Sequence, residues 1–395
     1  MSRHHSLAIA LATLLSASPL SSIANEPHAR GPLDAAVAAA IRPTMAQYRI
    51  PGMAVAIHAH GQRYYFNYGV ASKADNQPVT AETLFEIGSV SKLYGATLAG
   101  YAIASGKLSL DTPVSRNIPA LAGSAFDHIS VLQVGGYTSG GLPMQFPTAV
   151  TDDASALRWL QDWKPTLPSG RFRVYSNPSI ALLGFAAAGS LGEPCTQAIE
   201  HTLISGLKLR QTWANVPESQ RPNYAQGYRE DDTATRSDST LMCVGAWGGL
   251  RASTTGLMDF LEANLDPSNL PPTWQRAIEL TQTGRYRTPR YLQGLGWEIY
   301  PWPVTQARMV ESGNSPTMSG QENPVSLVER PEIANHDSLL NKTGSTSGFS
   351  SYVVALPGRD IAIVMLANKA NWPRKERVKA ALAILRALDA TAPTP

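Results

Sequence analysis

Two strand hairpins stand at opposite ends of this 395-residue chain, with a helical, loop-rich middle between them. The first runs from Gly52 to Ala59, turns through His60-Gly61 and returns from Arg63 to Gly69. The second runs from Ser350 to Leu356, turns at Pro357-Gly358-Arg359-Asp360 and returns from Ile361 to Ala367, rich in Val and Ile. Short runs of this kind punctuated by Gly, Pro and Asp are strand and turn signals. Each hairpin has a helical pattern beside it. Leu33 to Tyr48 is Ala-rich and is expected to break at Pro43, and Lys375 to Leu388 carries Val378, Ala381, Leu382 and Leu385 on one face. The simplest architecture is an α/β fold: a discontinuous antiparallel-sheet α/β domain from both termini, residues 25–85 and 245–395, with a mostly helical inserted domain over 86–244. A cleft between the two is the expected place for a site.

The start of the chain belongs to neither part. Met1 to Ala24 joins a basic opening (Arg3, His4, His5), an apolar run from Leu7 to Leu15 and small residues at Ser22-Ile23-Ala24, the pattern of a secretory signal peptide. A periplasmic mature protein starting near Asn25 is therefore expected. No apolar run approaches the roughly 20 residues of a membrane span. The remainder, about 370 residues, exceeds the usual size of one core. A net charge of +3, without a basic stripe or an Arg/Lys run, disfavours nucleic acid as a partner. Cys195 and Cys243 fit either a disulfide or two buried thiols, since sequence alone cannot bring their Cα atoms together.

Three short elements carry chemistry. Ser89-Val90-Ser91-Lys92 opens an apolar helical run, and a spacing of three puts Ser89 and Lys92 on one helix face. A serine hydroxyl needs a base to become a nucleophile, and a desolvated lysine has its pKa lowered toward that task. Tyr175-Ser176-Asn177 offers a phenol beside an amide, although Ser-Asn-Pro is also ordinary turn chemistry. Lys342-Thr343-Gly344-Ser345 precedes the C-terminal hairpin on a strand that could lie beside an amide substrate, or could be a plain strand end. Each bland reading wins in isolation. All three in this order, behind a signal peptide, are much harder to obtain by accident.

Together they resemble the penicillin-recognising serine enzymes. Phe85-Glu86-Ile87-Gly88-Ser89, Tyr137-Thr138-Ser139-Gly140-Gly141-Leu142-Pro143, Gln145, Tyr175-Ser176-Asn177 and Lys342 through Phe349 resemble the class C (AmpC-type) β-lactamases in particular. The likeness extends to Gly52-Met53-Ala54-Val55-Ala56, Gln293-Gly294-Leu295-Gly296-Trp297 and the terminal helix. It implies a covalent mechanism in which Ser89 attacks the lactam carbonyl, while Lys92 and Tyr175 manage the proton, the choice of base between them left open. It further implies an oxyanion hole from the N–H groups of Ser89 and Ser345. Gln145 and Asn177 would bind the substrate's side-chain amide, Lys342 would hold Tyr175 and favour its anion, Thr343 would meet the substrate carboxylate, and Arg377 would match the family's arginine. A small-molecule β-lactam, cephalosporins first, is the implied partner of a monomer without cofactor or metal.

The chain also departs from the pattern. Asn341 stands where the class usually has histidine. Arg374 stands where an asparagine commonly meets the substrate carboxylate, a place a cation could fill. Trp247 lies where a family tyrosine flanks the substrate, as a wall or as core. Two rivals remain. A zinc hydrolase would draw on His58-Ala59-His60, but two histidines fall short of the three protein ligands that catalytic zinc takes. A DD-peptidase or esterase on the same scaffold shares the acylation chemistry.

Overall fold

The computed structural model describes residues 31–237, 239–312, 322–335 and 337–391; the expected signal segment lies outside them. Odd and even positions of β1 (Gly52–Ala59) enter two different cores. Met53, Val55 and Ile57 join Val37 and Ile41 of α1 (Gly31–Gln47), whereas Ala54 and Ala56 join the larger cluster built by the middle of the chain. Successive strand side chains point to opposite faces, so this split marks a sheet covered on both sides. Every position of β1 is accordingly buried.

Ten strands make that sheet: β1, β2 (Gln62–Ser72), β3 (Gln77–Pro78), β4 (Tyr286–Arg287), β5 (Leu292–Gln293), β6 (Glu298–Pro301), β7 (Ser326–Leu327), β8 (Ser338–Ser345), β9 (Ser350–Leu356) and β10 (Ile361–Ala367). In space they run β7-β4-β5-β6-β8-β9-β10-β1-β2-β3. The two ends of the chain meet at the β1/β10 ladder, where Met53 faces Ala367 and Ala59 faces Ile361 in antiparallel register. Both predicted hairpins are thus present and adjacent.

Between β3 and β4 the chain is mostly helical. Its main helices are α2 (Ser91–Ala104), α3 (Asp153–Asp162), α4 (Asn177–Leu191), α5 (Val244–Trp247), α6 (Thr254–Leu265) and α7 (Pro272–Thr281). The large sheet resumes at Tyr286, later than the expected 245. In the intervening stretch α6 lies on β1 and β10, and α7 lies on α2. A helix apolar all round is a core helix, and α2 is one: Ser91 through Gly100 are all buried, against α4, α5 and α7. The opposite face of the sheet is covered by α1 and the terminal helix α8 (Arg374–Thr391), which pack on each other. α1 runs through Pro43 without the predicted break. Pro43 and Ala39, whose carbonyl loses its partner there, are both exposed, so water replaces the missing bond. No helix among the described residues is long and apolar enough to cross a membrane.

Candidate active site

Ser89 sits on a single 3-10 turn, Gly88–Val90, that feeds directly into α2. Gly88 has φ +51° and faces β8: a Cβ there would stand 2.6 Å from Ser345 N. A Cβ at Gly344 would stand 2.0 Å from the Ile87 carbonyl oxygen and 3.0 Å from Ser89 N. Only glycines let these two main chains touch. Ser351 Oγ donates to the Ile87 carbonyl at 2.7 Å and pins the turn to the sheet. The main-chain nitrogens of Ser89 and Ser345 thereby come to adjoining positions.

Lys92, one turn along α2, is fully buried. Its ammonium donates to Ser89 Oγ at 3.0 Å, to Asn177 Oδ1 at 2.6 Å and to the Trp247 carbonyl at 2.6 Å, which uses all three donors. Burial, then the charge of Lys342, holds it well below the ordinary lysine range. Asn177 is placed by helix formation: Ser176 caps α4 by accepting from Ser179 N at 3.1 Å, so Asn177 opens the first turn. The turn residues of the sequence are therefore a helix start. Asn177 Nδ2 donates to Gln145 Oε1 at 2.7 Å, and Gln145 is exposed.

Tyr175 lies beside two lysines. Lys92 Nζ is 5.2 Å and Lys342 Nζ 5.4 Å from the centre of its ring. The phenol is buried, and its hydroxyl has no hydrogen-bond partner among the described residues. Burial raises its pKa, opposed by the neighbouring Ser89 hydroxyl and by Arg173. Lys342 is 1% exposed and donates to the Thr343 carbonyl at 2.9 Å. Burial pushes it down to about 7; Glu298 works against that fall, and Arg374, Arg173 and Arg377 work with it. A nucleophile, a depressed lysine against it and a phenol beside two amines form the equipment of acyl transfer.

The model of a family described as Beta-lactamase matches residues 37–388. The chain belongs to the beta-lactamase family, in its class C serine branch. A β-lactamase of Pseudomonas fluorescens is 47% identical over 349 residues, 88% of this chain and 97% of that one. One of Escherichia coli (strain K12) is 39% identical over 350 residues, 88% of this chain and 92% of the other. Among solved structures, a β-lactamase/D-alanine carboxypeptidase of Pseudomonas syringae superposes with a TM-score of 0.86 at 37% identity, covering 90% of this chain and 98% of that one. A class C β-lactamase superposes with a TM-score of 0.85 at 38% identity, over 90% and 98% of the two chains.

In this class C β-lactamase the two arginines expected near the substrate are engaged elsewhere. Arg374 is inside, its Nη2 bonded to Glu298 Oε2 at 2.7 Å, with side-chain exposures of 11% and 3%. The partner its charge has here is Glu298. Arg377, expected as a substrate contact, spends all five N–H donors on the protein. They go to the carbonyls of Trp372, Gly344 and Ser351 and to Ser345 Oγ and Ser350 Oγ, between 2.6 and 3.0 Å. It braces β8 and β9 from behind. Asn341 is buried, donates to the Glu298 carbonyl at 3.3 Å and accepts from Tyr352 at 3.3 Å, so an amide occupies the family's imidazole position with two partners of its own. Trp247 is half-buried, 5.9 Å from Lys92 Nζ to its ring centre, and donates through Nε1 to the Met242 carbonyl.

Sequence reading passed over Arg173, Glu298 and the Trp247 carbonyl. Arg173 is 1% exposed, donates from Nε to Gln293 Oε1 at 2.8 Å, and lies 4.9 Å from the Tyr137 ring centre and 5.5 Å from that of Tyr175. Its position two residues before Tyr175 was the available signal. Glu298 is fully enclosed: burial works to raise its carboxyl, but Arg374, Lys342 and Arg173 outweigh this and hold it below the usual range. An acid in the apolar strand Glu298-Ile299-Tyr300 was its signal. Cys195 and Cys243 are bonded to each other, with Cα atoms 5.4 Å apart.

Proposed function

We propose that this β-lactamase works through an acyl-enzyme on Ser89, and the single observation that carries the reading is the 3.0 Å contact from the fully buried Lys92 Nζ to the partly exposed Ser89 Oγ. With its pKa far below the ordinary value, Lys92 is the base for acylation. In its neutral form Lys92 keeps two N–H bonds, to Asn177 and the Trp247 carbonyl, and turns its lone pair to Ser89 Oγ, which attacks the lactam carbonyl carbon as its proton passes to Lys92 Nζ. The oxyanion is taken by the N–H groups of Ser89 and Ser345, each such donor being worth about 100- to 1000-fold in rate. As the C–N bond breaks, the Tyr175 phenol, kept protonated by burial, gives its proton to the leaving nitrogen and is refilled from Lys92. Water then attacks the ester, giving a proton to Tyr175 as the phenol passes its own to the Lys92 left neutral, with Lys342 favouring that passage, and Lys92 returns a proton to Ser89 Oγ as the ester breaks. Gln145 and Asn177 bind the substrate's side-chain amide, and Thr343 with Lys342 takes its carboxylate. Arg377 holds β8 in place and does not touch substrate.

Cephalosporins are the favoured substrates, and the protein is exported, with Met1 to Ala24 removed. A second reading, a D-alanine carboxypeptidase, has support in the name of the Pseudomonas syringae neighbour. The test is hydrolysis of a chromogenic cephalosporin with a chelator present, followed by intact mass. Rapid multiple turnover, a transient adduct on the wild type, none on Ser89→Ala, and a mature mass starting near Asn25 are expected. A single acylation with a long-lived adduct would favour the carboxypeptidase, and turnover by Ser89→Ala would refute the mechanism.

A further inference from the structure

Two of the three acceptors around the Lys92 ammonium arrive on α4 and α5: Asn177 Oδ1 from the first turn of α4 and the Trp247 carbonyl from the end of α5. These helices are in direct contact. A Cβ added at Gly184 of α4 would lie 2.5 Å from Ala246 Cβ and 3.0 Å from Cys243 Sγ.

α5 is only one turn long, Val244–Trp247, and cannot hold itself in place. It is launched by two consecutive non-glycine residues in the left-handed region, Met242 at φ 35° and Cys243 at φ 55°, a conformation that L-residues avoid unless the surroundings enforce it. Three ties enforce it here. Met242 N donates to Asp153 Oδ1 of α3 at 2.7 Å, Trp247 Nε1 reaches back to the Met242 carbonyl at 2.8 Å, and Cys243 is bonded to Cys195, just past the end of α4. The third tie is covalent. It closes the far end of α4 onto the start of α5, so that the two helices present Asn177 and Trp247 to the ammonium as one unit.

We propose that the Cys195–Cys243 disulfide is a positioning device for Lys92: it holds the left-handed turn at Met242-Cys243, and through α5 it keeps the Trp247 carbonyl on the ammonium. The proposal rests on the reading of Lys92 as the acylation base. Removal of the bond leaves nothing covalent to keep Cys243 left-handed. The turn then relaxes, the carbonyl drifts, and the lysine that should take the Ser89 proton loses its orientation.

The experiment is single-turnover acylation by a cephalosporin, with a thermal midpoint measured on each variant. Cys195→Ser/Cys243→Ser is expected to acylate about 10- to 100-fold more slowly, the penalty of a small misplacement at a reacting centre, with initial substrate affinity unchanged. In Cys195→Ser/Cys243→Gly the glycine adopts the left-handed turn without strain. That variant should recover most of the acylation rate while its thermal midpoint stays as low as that of the serine variant. A serine variant as fast as the wild type overturns the proposal, and so does a glycine variant no faster than the serine one. Lys92→Met separates this from the underlying reading. If Lys92→Met acylates at the wild-type rate the site reading fails, whereas a slow Lys92→Met beside a fast serine variant refutes only the disulfide's role. If the variants do not accumulate, folded wild type is reduced with a water-soluble phosphine, each disulfide giving two thiols and one phosphine oxide whose oxygen comes from water. Unchanged acylation after complete reduction overturns the proposal equally.

Discussion

The charges around His58 and those around Lys92 are assembled on opposite principles. On the rim of β1, His58 Nδ1 meets Glu262 Oε1 and Nε2 meets Asp360 Oδ1, each at 2.8 Å. Glu262 also accepts from Arg63 Nε at 2.6 Å, and Asp259 accepts from Arg63 at 2.8 Å and from Arg210 at 3.1 Å. Acids and bases there pair off, and several are open to water: Asp360 is 49% and Arg210 72% exposed. Around Lys92 the balance is broken. Lys92, Lys342, Arg173 and Arg377 are buried, Arg374 is partly buried, and the enclosed carboxylate among them is Glu298. Five basic groups around one carboxylate would be a poor way to stabilise a fold, because each desolvated charge costs several kcal/mol. They are a good way to depress the two lysines beside Tyr175 and to make the site receptive to developing negative charge. A neutralised cluster is architecture, and an unbalanced buried one marks chemistry.

That contrast can be broken by substitution. The largest effect is expected at Lys92. Lys92→Met should lower cephalosporin turnover by at least about 100-fold while leaving the unfolding free energy equal or higher by about 1–3 kcal/mol, since an apolar side chain replaces an amine whose charged form burial and Lys342 disfavour. Turnover assays paired with urea unfolding check both signs, and a large loss of stability would show that the lysine is architecture after all. Next comes the ion pair inside the site. Arg374→Asn takes from Glu298 its hydrogen-bonded ion-pair partner and leaves it only the fields of Lys342 and Arg173, and a loss of about 3–5 kcal/mol is expected, most of it regained by Arg374→Met combined with Glu298→Leu. An Arg374→Asn protein as stable as the wild type, by the same unfolding measurement, would show that Glu298 has no need of its partner. The smallest effect is expected on the rim. His58→Ala should cost about 1–2 kcal/mol, moderated by the exposure of Asp360, with kcat unchanged; a fall in kcat would tie the rim to the chemistry.

Part of the site was legible because its spacing is local. Ser89 and Lys92 lie one helical turn apart, and a turn of helix brings them together whatever surrounds it. Asn177 was legible by type but its placement was not: Ser-Asn-Pro reads as a turn until the run to Leu191 is seen to be a capped helix. The two arginines show the limit. Arg374 stands where an asparagine commonly meets the substrate carboxylate and Arg377 matches the family's arginine, yet one faces Glu298 across 2.7 Å and the other donates to the Gly344 and Ser351 carbonyls. An arginine's role is set by whichever acceptor its long side chain reaches first, and those acceptors lie 76 and 33 residues away along the chain.

By itself the sequence determined what is written in periodicity and turn chemistry: two hairpins, the helices beside them, the nucleophile's helical turn and the order of the three motifs. Strand alternation, turn residues and helical spacing act over a few residues and need no distant partner. Only the tertiary structure decided where each charge came to rest. It brought both Lys342 and Lys92 to the Tyr175 ring, closed Cys195 onto Cys243, and enclosed Glu298 with Arg374. Protonation, pairing and reach depend on burial and on groups brought together through space, and these exist only once the sheet has joined the two ends of the chain.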